Sequence, residues 1–306
     1  MANAAMNHRQ RWKVIPFLLA LVTTCLAAQT AQVIAVSEKN AVHPGASTVT
    51  TREQTAAPAL KDNSRTPTQA GNKQDGAIRK AIIIGFVGGF VKHDDARHPE
   101  VQFAAYLRDR YPFAHAEVFS NHNGQKAFRE VLRLLDANHS EAPTAAEKDQ
   151  AAIIIYGHSW GASETVWLAR KLEQNNIPVL LTIQVDIVAK PGQSGSTIPP
   201  NVAQAVNFYQ SKGPIHGRSE IFAADPARTR ILGNIQMKYD GHPINCDNYP
   251  WFPRVLNRPH HEIENDPRVW DQAASLIDSD LSDGESKAKP SSPSQSPFFS
   301  FLHDRP

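Results

Sequence analysis

Residues 153–162 read IIIYGHSWGA: a β-branched run from Ile153 through Tyr156, then Gly157, His158, Ser159, Trp160, Gly161 and Ala162. The middle five residues fit G-x-S-x-G, a pentapeptide that carries weight only with a strand before it and a helix after it. Both are expected here. Ile153 to Tyr156 suit a buried strand, and Ala162–Leu172 carries an amphipathic stripe. In that setting Ser159 occupies a strained turn, and the positions two away must lack side chains so that strand and helix can approach. Gly157 and Gly161 meet that need. The competing reading is a plain buried turn, and the surroundings have to decide.

Outward from this point, apolar runs alternate with amphipathic stretches between Ala77 and Ser279. AIIIGFV at 81–87 is a short β-branched run of the kind buried on both faces. A helix is expected over 99–110, with Phe103, Tyr106 and Leu107 on one side, and a strand at 115–120. A second helix over 125–137 places Phe128, Val131, Leu132 and Leu135 at i, i+3, i+4 and i+7. The 151–156 strand follows, then a helix over 160–174 and a strand, PVLLTIQVD, ending at Asp186. Further strands are expected at 205–210 and 229–237. Asp266 as N-cap and Pro267 at N1 open a final helix with Val269, Trp270, Ala273 and Ile277 as its apolar stripe. Strand–helix alternation of this kind predicts βαβ crossovers, and so a mostly parallel, doubly wound sheet in a three-layer α/β/α arrangement.

The flanks read differently. Arg9, Arg11 and Lys13 precede an apolar run from Val14 to Ala28, closed by small residues near Cys25, Ala27 and Ala28. This is the layout of a secretory signal, shorter than the ~20 residues a membrane span needs. Residues 1–28 are therefore expected to direct export, to the periplasm or outside the cell. An uncleaved N-terminal membrane tether, or lipidation at Cys25, stands as the alternative. Residues 29–78 lack both aromatic residues from Thr30 to Asp75 and any sustained period, and are expected to be a disordered linker. The domain is expected over 79–280, with a Ser/Pro-rich disordered tail over 281–306 that includes an apolar FFSF at 298–301. Once the leader is removed only Cys246 remains, so no intramolecular disulfide can form, and that thiol reads as structural. A formal charge of +2 gives no sign of a nucleic-acid partner.

A serine hydroxyl becomes a good nucleophile only when a base takes its proton. In this layout the base arrives from a loop just ahead of the final helix, and RPHHEIENDPRVW at 258–270 supplies His260 and His261. Adjacent residues point in different directions, so one of them serves, and His260 is preferred. His158 is expected to project away as a packing or substrate-wall residue. His93 and His98, close to Asp94 and Asp95, are expected in an exposed polar loop rather than a metal site. The base needs an acid to fix its tautomer. Asp186 lies at the carboxyl edge of the sheet, where open parallel sheets bind ligands; Asp225, Asp240 and Asp247 are its rivals. Oxyanion donors are expected at the Trp160 amide and in the glycine-rich stretch 85–89, at Phe86 or Val87. That stretch matches neither nucleotide-binding glycine pattern.

On IIIGFVGGF, IIIYGHSWGA, LLTIQVD and HHEIENDPRVW, the chain resembles the α/β-hydrolase-fold serine hydrolases over about residues 79–279. It looks most like compact esterase, lipase or thioesterase-like members with little or no cap. Two features depart from the usual pattern: Ile84-Gly85 stands where a His-Gly pair precedes the oxyanion loop, and no long insertion provides a lid. The resemblance implies cleavage of a carboxylic ester or thioester through an acyl-enzyme on Ser159, with a small-molecule or lipid-like acyl ester as substrate. No cofactor and no metal are expected. Tyr239, Tyr249, Trp251 and Phe252 are candidates to wall an acyl or aromatic group. Acyl transfer on the same residues, or a non-catalytic binding protein retaining the fold, are the alternatives.

Overall fold

Isoleucine-rich runs buried on both faces need neighbours on both sides, and the strands satisfy each other in one sheet. The computed structural model describes residues 80–193 and 195–282. Its strands are β1 (Lys80–Val87), β2 (His115–Ser120), β3 (Ala151–His158), β4 (Val179–Val185), β5 (Thr197–Ile198), β6 (Val202–Tyr209), β7 (Phe222–Ala223) and β8 (Arg230–Gln236). Six of them form a sheet in the order β2-β1-β3-β4-β6-β8, with every pairing parallel. The short β5 and β7 pair separately, also in parallel.

Helices cover both faces. α1 (Pro99–Arg110) and α7 (Pro267–Ser282) lie on one side, where Phe103, Leu107, Val269, Trp270, Ala273 and Ile277 pack with Ile83, Ile154 and Ile183. α2 (Gly124–Leu135) and α4 (Trp160–Glu173) lie on the other, where Phe128, Val131, Val166 and Leu172 pack with Ile82, Ile84, Ile153 and Ile155. The odd and even isoleucines of β1 and β3 thus feed two separate cores, as the period of two requires. This is the doubly wound, three-layer α/β/α architecture that the sequence predicts.

Three short helices complete the described residues: α3 (Ala145–Asp149), α5 (Trp251–Leu256) and α6 (Arg258–Glu264). The segment ahead of α7, expected as a loop, is therefore partly helical. Pro259 falls in the first turn of α6, where a missing N–H costs nothing. Asp266 caps α7 as expected, accepting the Arg268 N–H at 2.9 Å. The leader at 1–28, the linker at 29–78 and the tail from residue 283 lie outside the described residues.

The order of strands fixes where a site can form. The chain runs from β1 outward to β2, then returns across β1 to lay down β3. The reversal leaves a crevice at the carboxyl ends of β1 and β3, the place where open α/β sheets bind ligands. Ser159 is the residue that follows β3.

Candidate active site

Ser159 sits between strand and helix with φ 57° and ψ −121°, outside the regions an L-residue ordinarily takes. Its neighbours make the turn feasible. A Cβ at Gly157 would stand 2.6 Å from the backbone of Gly161, and one at Gly161 would stand 2.7 Å from the Val87 carbonyl and closer still to that of Phe86. The turn is tied down from the next strand: the Ser159 N–H donates to the Val185 carbonyl at 2.9 Å, and the Val188 N–H donates to the Ser159 carbonyl at 3.3 Å.

His260, on α6, reaches this serine. Its Nε2 lies 3.0 Å from Ser159 Oγ, and its Nδ1 lies 2.6 Å from Asp186 Oδ2. All three side chains are buried. Burial lowers the His260 pKa below the ordinary histidine value; the Asp186 hydrogen bond pulls the other way, and the His158 charge adds to the depression. Asp186 follows β4 and also has a positive φ, 44°. It accepts three further hydrogen bonds, from the Gly217 N–H at 2.7 Å, the Gln210 amide group at 2.8 Å and the Gln210 N–H at 3.1 Å. Of the two adjacent histidines, His261 turns away: its ring stacks on Tyr249 with centroids 3.7 Å apart, and neither of its nitrogens has a hydrogen-bond partner among the described residues. Burial and the charges of His260 and His158 press its pKa down to about 3.

The two expected oxyanion donors fare differently. Trp160 is the first residue of α4, so its amide is among those a helix leaves without an internal acceptor. Phe86 lies inside β1, which ends at Val87 as expected, and is paired with Phe119 on one side and Gly157 on the other. The turn begins at Gly88, where a Cβ would lie 3.3 Å from the Ser159 Cβ. The Gly88 N–H is engaged by Glu100 at 3.3 Å, and the Gly89 carbonyl accepts from the Asn121 side chain at 2.6 Å.

Beneath the serine lies a polar cluster the sequence reading did not foresee. His158 is buried, not a substrate wall. Its Nδ1 stands 3.5 Å from Glu100 Oε1 and 3.8 Å from Glu264 Oε2, and its ring lies 4.6 Å from that of His260. Burial opposes a charge there, yet the Glu264 and Glu100 carboxylates outweigh it and hold the His158 pKa up at about 9. His98, expected in an exposed loop, is buried as the N-cap of α1, with Nδ1 2.7 Å from Glu264 Oε1. His93 is exposed, in keeping with the polar loop expected. Tyr249 also faces inward, its hydroxyl donating to Glu264 at 2.5 Å, and Tyr239 donates to Asp266 at 3.0 Å. Only Trp251 and Phe252, of the four aromatics proposed as walls, are exposed. An apolar ledge beside Ser159 comes instead from Phe90, strongly exposed, which meets the Trp160 ring edge-on at 5.9 Å.

No protein-family model matches the sequence, and no curated protein matches it. Among solved structures, a cutinase-like protein from Cryptococcus sp. aligns with a TM-score of 0.35 and 12% identity, covering 66% of this chain and 95% of its own. Human thioesterase 2 aligns at 0.34 and 13%, covering 69% and 100%. An acetylxylan esterase aligns at 0.34 and 11%, covering 66% and 98%.

Proposed function

We propose that the chain is a serine hydrolase that cleaves a carboxylic ester or thioester through an acyl-enzyme on Ser159. The supporting observation is the line of hydrogen bonds from Ser159 through His260 to Asp186, with the serine held at positive φ beside a helix N-terminus. In this reading His260 Nε2 takes the hydroxyl proton as Ser159 Oγ bonds to the acyl carbon. Asp186 holds the proton on Nδ1 and stabilises the imidazolium. The Trp160 amide, with a second from the glycine-rich stretch 85–89, carries the developing oxyanion. His260 then gives its proton to the departing alcohol or thiol, and water releases the acid by the same steps. The Phe90–Trp160 ledge favours substrates with an apolar acyl group.

Labelling of the full-length chain by a fluorophosphonate probe tests the proposal. Wild type is expected to label at Ser159, and Ser159→Ala to abolish labelling. A folded wild type that resists the probe would count against hydrolysis and in favour of a binding protein on the same fold. Export belongs to the same proposal and rests on the basic, then apolar, then small-residue order of residues 9–28. N-terminal sequencing of protein recovered outside the cytoplasm tests it.

A further inference from the structure

We propose that His98, Glu100, His158 and Glu264 form a buried site for one divalent cation of the zinc class, directly beneath the Ser159 turn. The site involves none of the three residues assigned to acyl transfer, and whether it binds an ion does not depend on that assignment.

Geometry comes first. His98, Glu100 and Glu264 each present a ligand atom, and the three atoms lie within 4.8 Å of one another. His158 Nδ1 stands 3.5 Å and 3.8 Å from the two carboxylates, and His98 Nδ1 stands 2.7 Å from Glu264 Oε1. Nitrogen and oxygen ligands about 2.0–2.1 Å from a tetrahedral Zn²⁺ are separated by roughly 3.3 Å. His98, Glu100 and Glu264 come near that spacing as they stand, and His158 Nδ1 approaches the two carboxylates to complete the set. Two imidazoles and two carboxylates are a donor set that suits zinc.

Charge and hydrogen bonding ask for an ion. Glu100 and Glu264 are fully buried and lie close together, and among the described residues their ionic partners are the two histidines of the same cluster, His98 and His158, with no lysine or arginine. Carboxylates taken out of water are costly unless paired or bound to a metal. Glu100 Oε2 and both nitrogens of His158 have no hydrogen-bond partner among the described residues, although His158 is 1% exposed and Glu100 0%. Buried polar atoms left without partners call for an explanation, an absent ion among them. The backbone around the ligands is meanwhile well held. Tyr156 donates to the Glu100 carbonyl at 2.9 Å, Trp270 donates to the Glu264 carbonyl at 2.6 Å, and the Tyr249 hydroxyl donates to the Glu264 side chain. Such outer contacts are what orient metal ligands.

The ligands come from three separate parts of the chain: the start of α1, the end of β3 and the end of α6. Glu264 lies one helical turn beyond His260 on α6. A cation here would fasten that helix to the sheet under the nucleophile turn, and so fix the position of the His260 ring.

The test uses untagged, full-length protein stripped with a chelator and then equilibrated with Zn²⁺ or Co²⁺. The expected result is one ion per chain by mass spectrometry and a raised thermal midpoint. With Co²⁺ the intense visible absorption of a four-coordinate site should appear. His98→Ala and Glu264→Gln are expected to weaken uptake roughly 100-fold or more, since removing a ligand should cost at least as much as the 10–100-fold seen for outer-shell partners. His115→Ala, in the more exposed His115, Glu117, Glu130 group, should leave uptake unchanged. If either ligand variant fails to fold, the Co²⁺ spectrum of wild type still decides. A folded wild type that takes up no stoichiometric ion, a weak six-coordinate spectrum, or uptake lost only in His115→Ala would overturn the site.

Discussion

Replacing Gly161 by alanine puts one methyl group where the turn has no room. The new Cβ would stand 2.7 Å from the Val87 carbonyl oxygen and 2.8 Å from the Phe86 carbonyl carbon, nearer still to the Phe86 oxygen. All three are backbone atoms of β1, so no side chain can swing aside. Bringing the Val87 contact alone to an ordinary 3.4 Å needs strand and helix to part by about 0.7 Å, and the nearer Phe86 oxygen demands more. Overpacking of this kind costs about 1–3 kcal/mol, and the alanine recovers up to ~1 kcal/mol of helix propensity. A net loss of about 2 kcal/mol is expected in urea unfolding. The same displacement moves Ser159 relative to His260. Since a misplacement near 1 Å can cost 10²-fold in rate, fluorophosphonate labelling should slow by roughly 10- to 100-fold. Gly233→Ala is the matched control. Its Cβ would first meet the Ile235 side chain at 3.4 Å, so stability and labelling should both stay close to wild type. A Gly161→Ala protein as stable and as reactive as Gly233→Ala would refute the steric account of the turn.

Asp186→Asn should lower turnover by roughly 10³–10⁴-fold, because an amide nitrogen facing His260 Nδ1 selects the wrong tautomer. Ester hydrolysis with the fold checked by circular dichroism reads this. Activity should rise with pH as His260 loses its proton and level off below the ordinary histidine value of about 6.5, since its pKa is lowered; a midpoint above 6.5 in kcat/KM would contradict the burial argument. His261 adds a stability effect. With its folded pKa near 3, the native state refuses a proton that the unfolded chain accepts below about 6.5, so stability should fall as pH drops from 6.5 towards 3, by at most about 5 kcal/mol. His261→Phe keeps the ring on Tyr249 and should flatten that part of the urea-midpoint profile. Burial and the nearby Glu262 and Glu264 push the Cys246 thiol up to about 12, so native protein should resist iodoacetamide at Cys246 at pH 8, with peptide mapping to distinguish Cys25.

Much of this fold was legible because its signals are local. β1 and β3 read as strands since isoleucines buried on both faces leave an unbroken apolar run, and α1 announced itself through Phe103, Tyr106 and Leu107 on one side, α7 through Asp266-Pro267. Ser159, Asp186 and His260 were singled out by position: the turn after β3, the residue after the next strand, and the approach to the last helix. The short α3 had a readable signal that was passed over, the capping box of Thr144 and Glu147. The buried cluster had none. His98, His158 and Glu264 are far apart in sequence, and a charged residue in a polar stretch looks exposed until a partner from another element is placed against it. Gln210 and Gly217, which hold Asp186, were hidden for the same reason.

The two strained residues of the site also belong together. Ser159 and Asp186 both adopt positive φ at the ends of neighbouring strands, a conformation worth about 1–3 kcal/mol of strain at each. Each turn is held by the strand beside it. The Ser159 amide is bound to Val185, the residue just before Asp186, and the Asp186 amide is bound to the Phe208 carbonyl at 2.7 Å. A Cβ at Gly217 would stand 2.5 Å from the Asp186 carbonyl carbon, so the loop beyond β6 closes directly over the acid. Ser159 and Asp186 are therefore placed by one run of backbone hydrogen bonds across β3, β4 and β6, while His260 comes from a helix outside the sheet. Displacement of α6 should alter the Ser159–His260 distance and leave the Ser159–Asp186 spacing unchanged. His260 is the member of the set whose position depends on something other than the sheet.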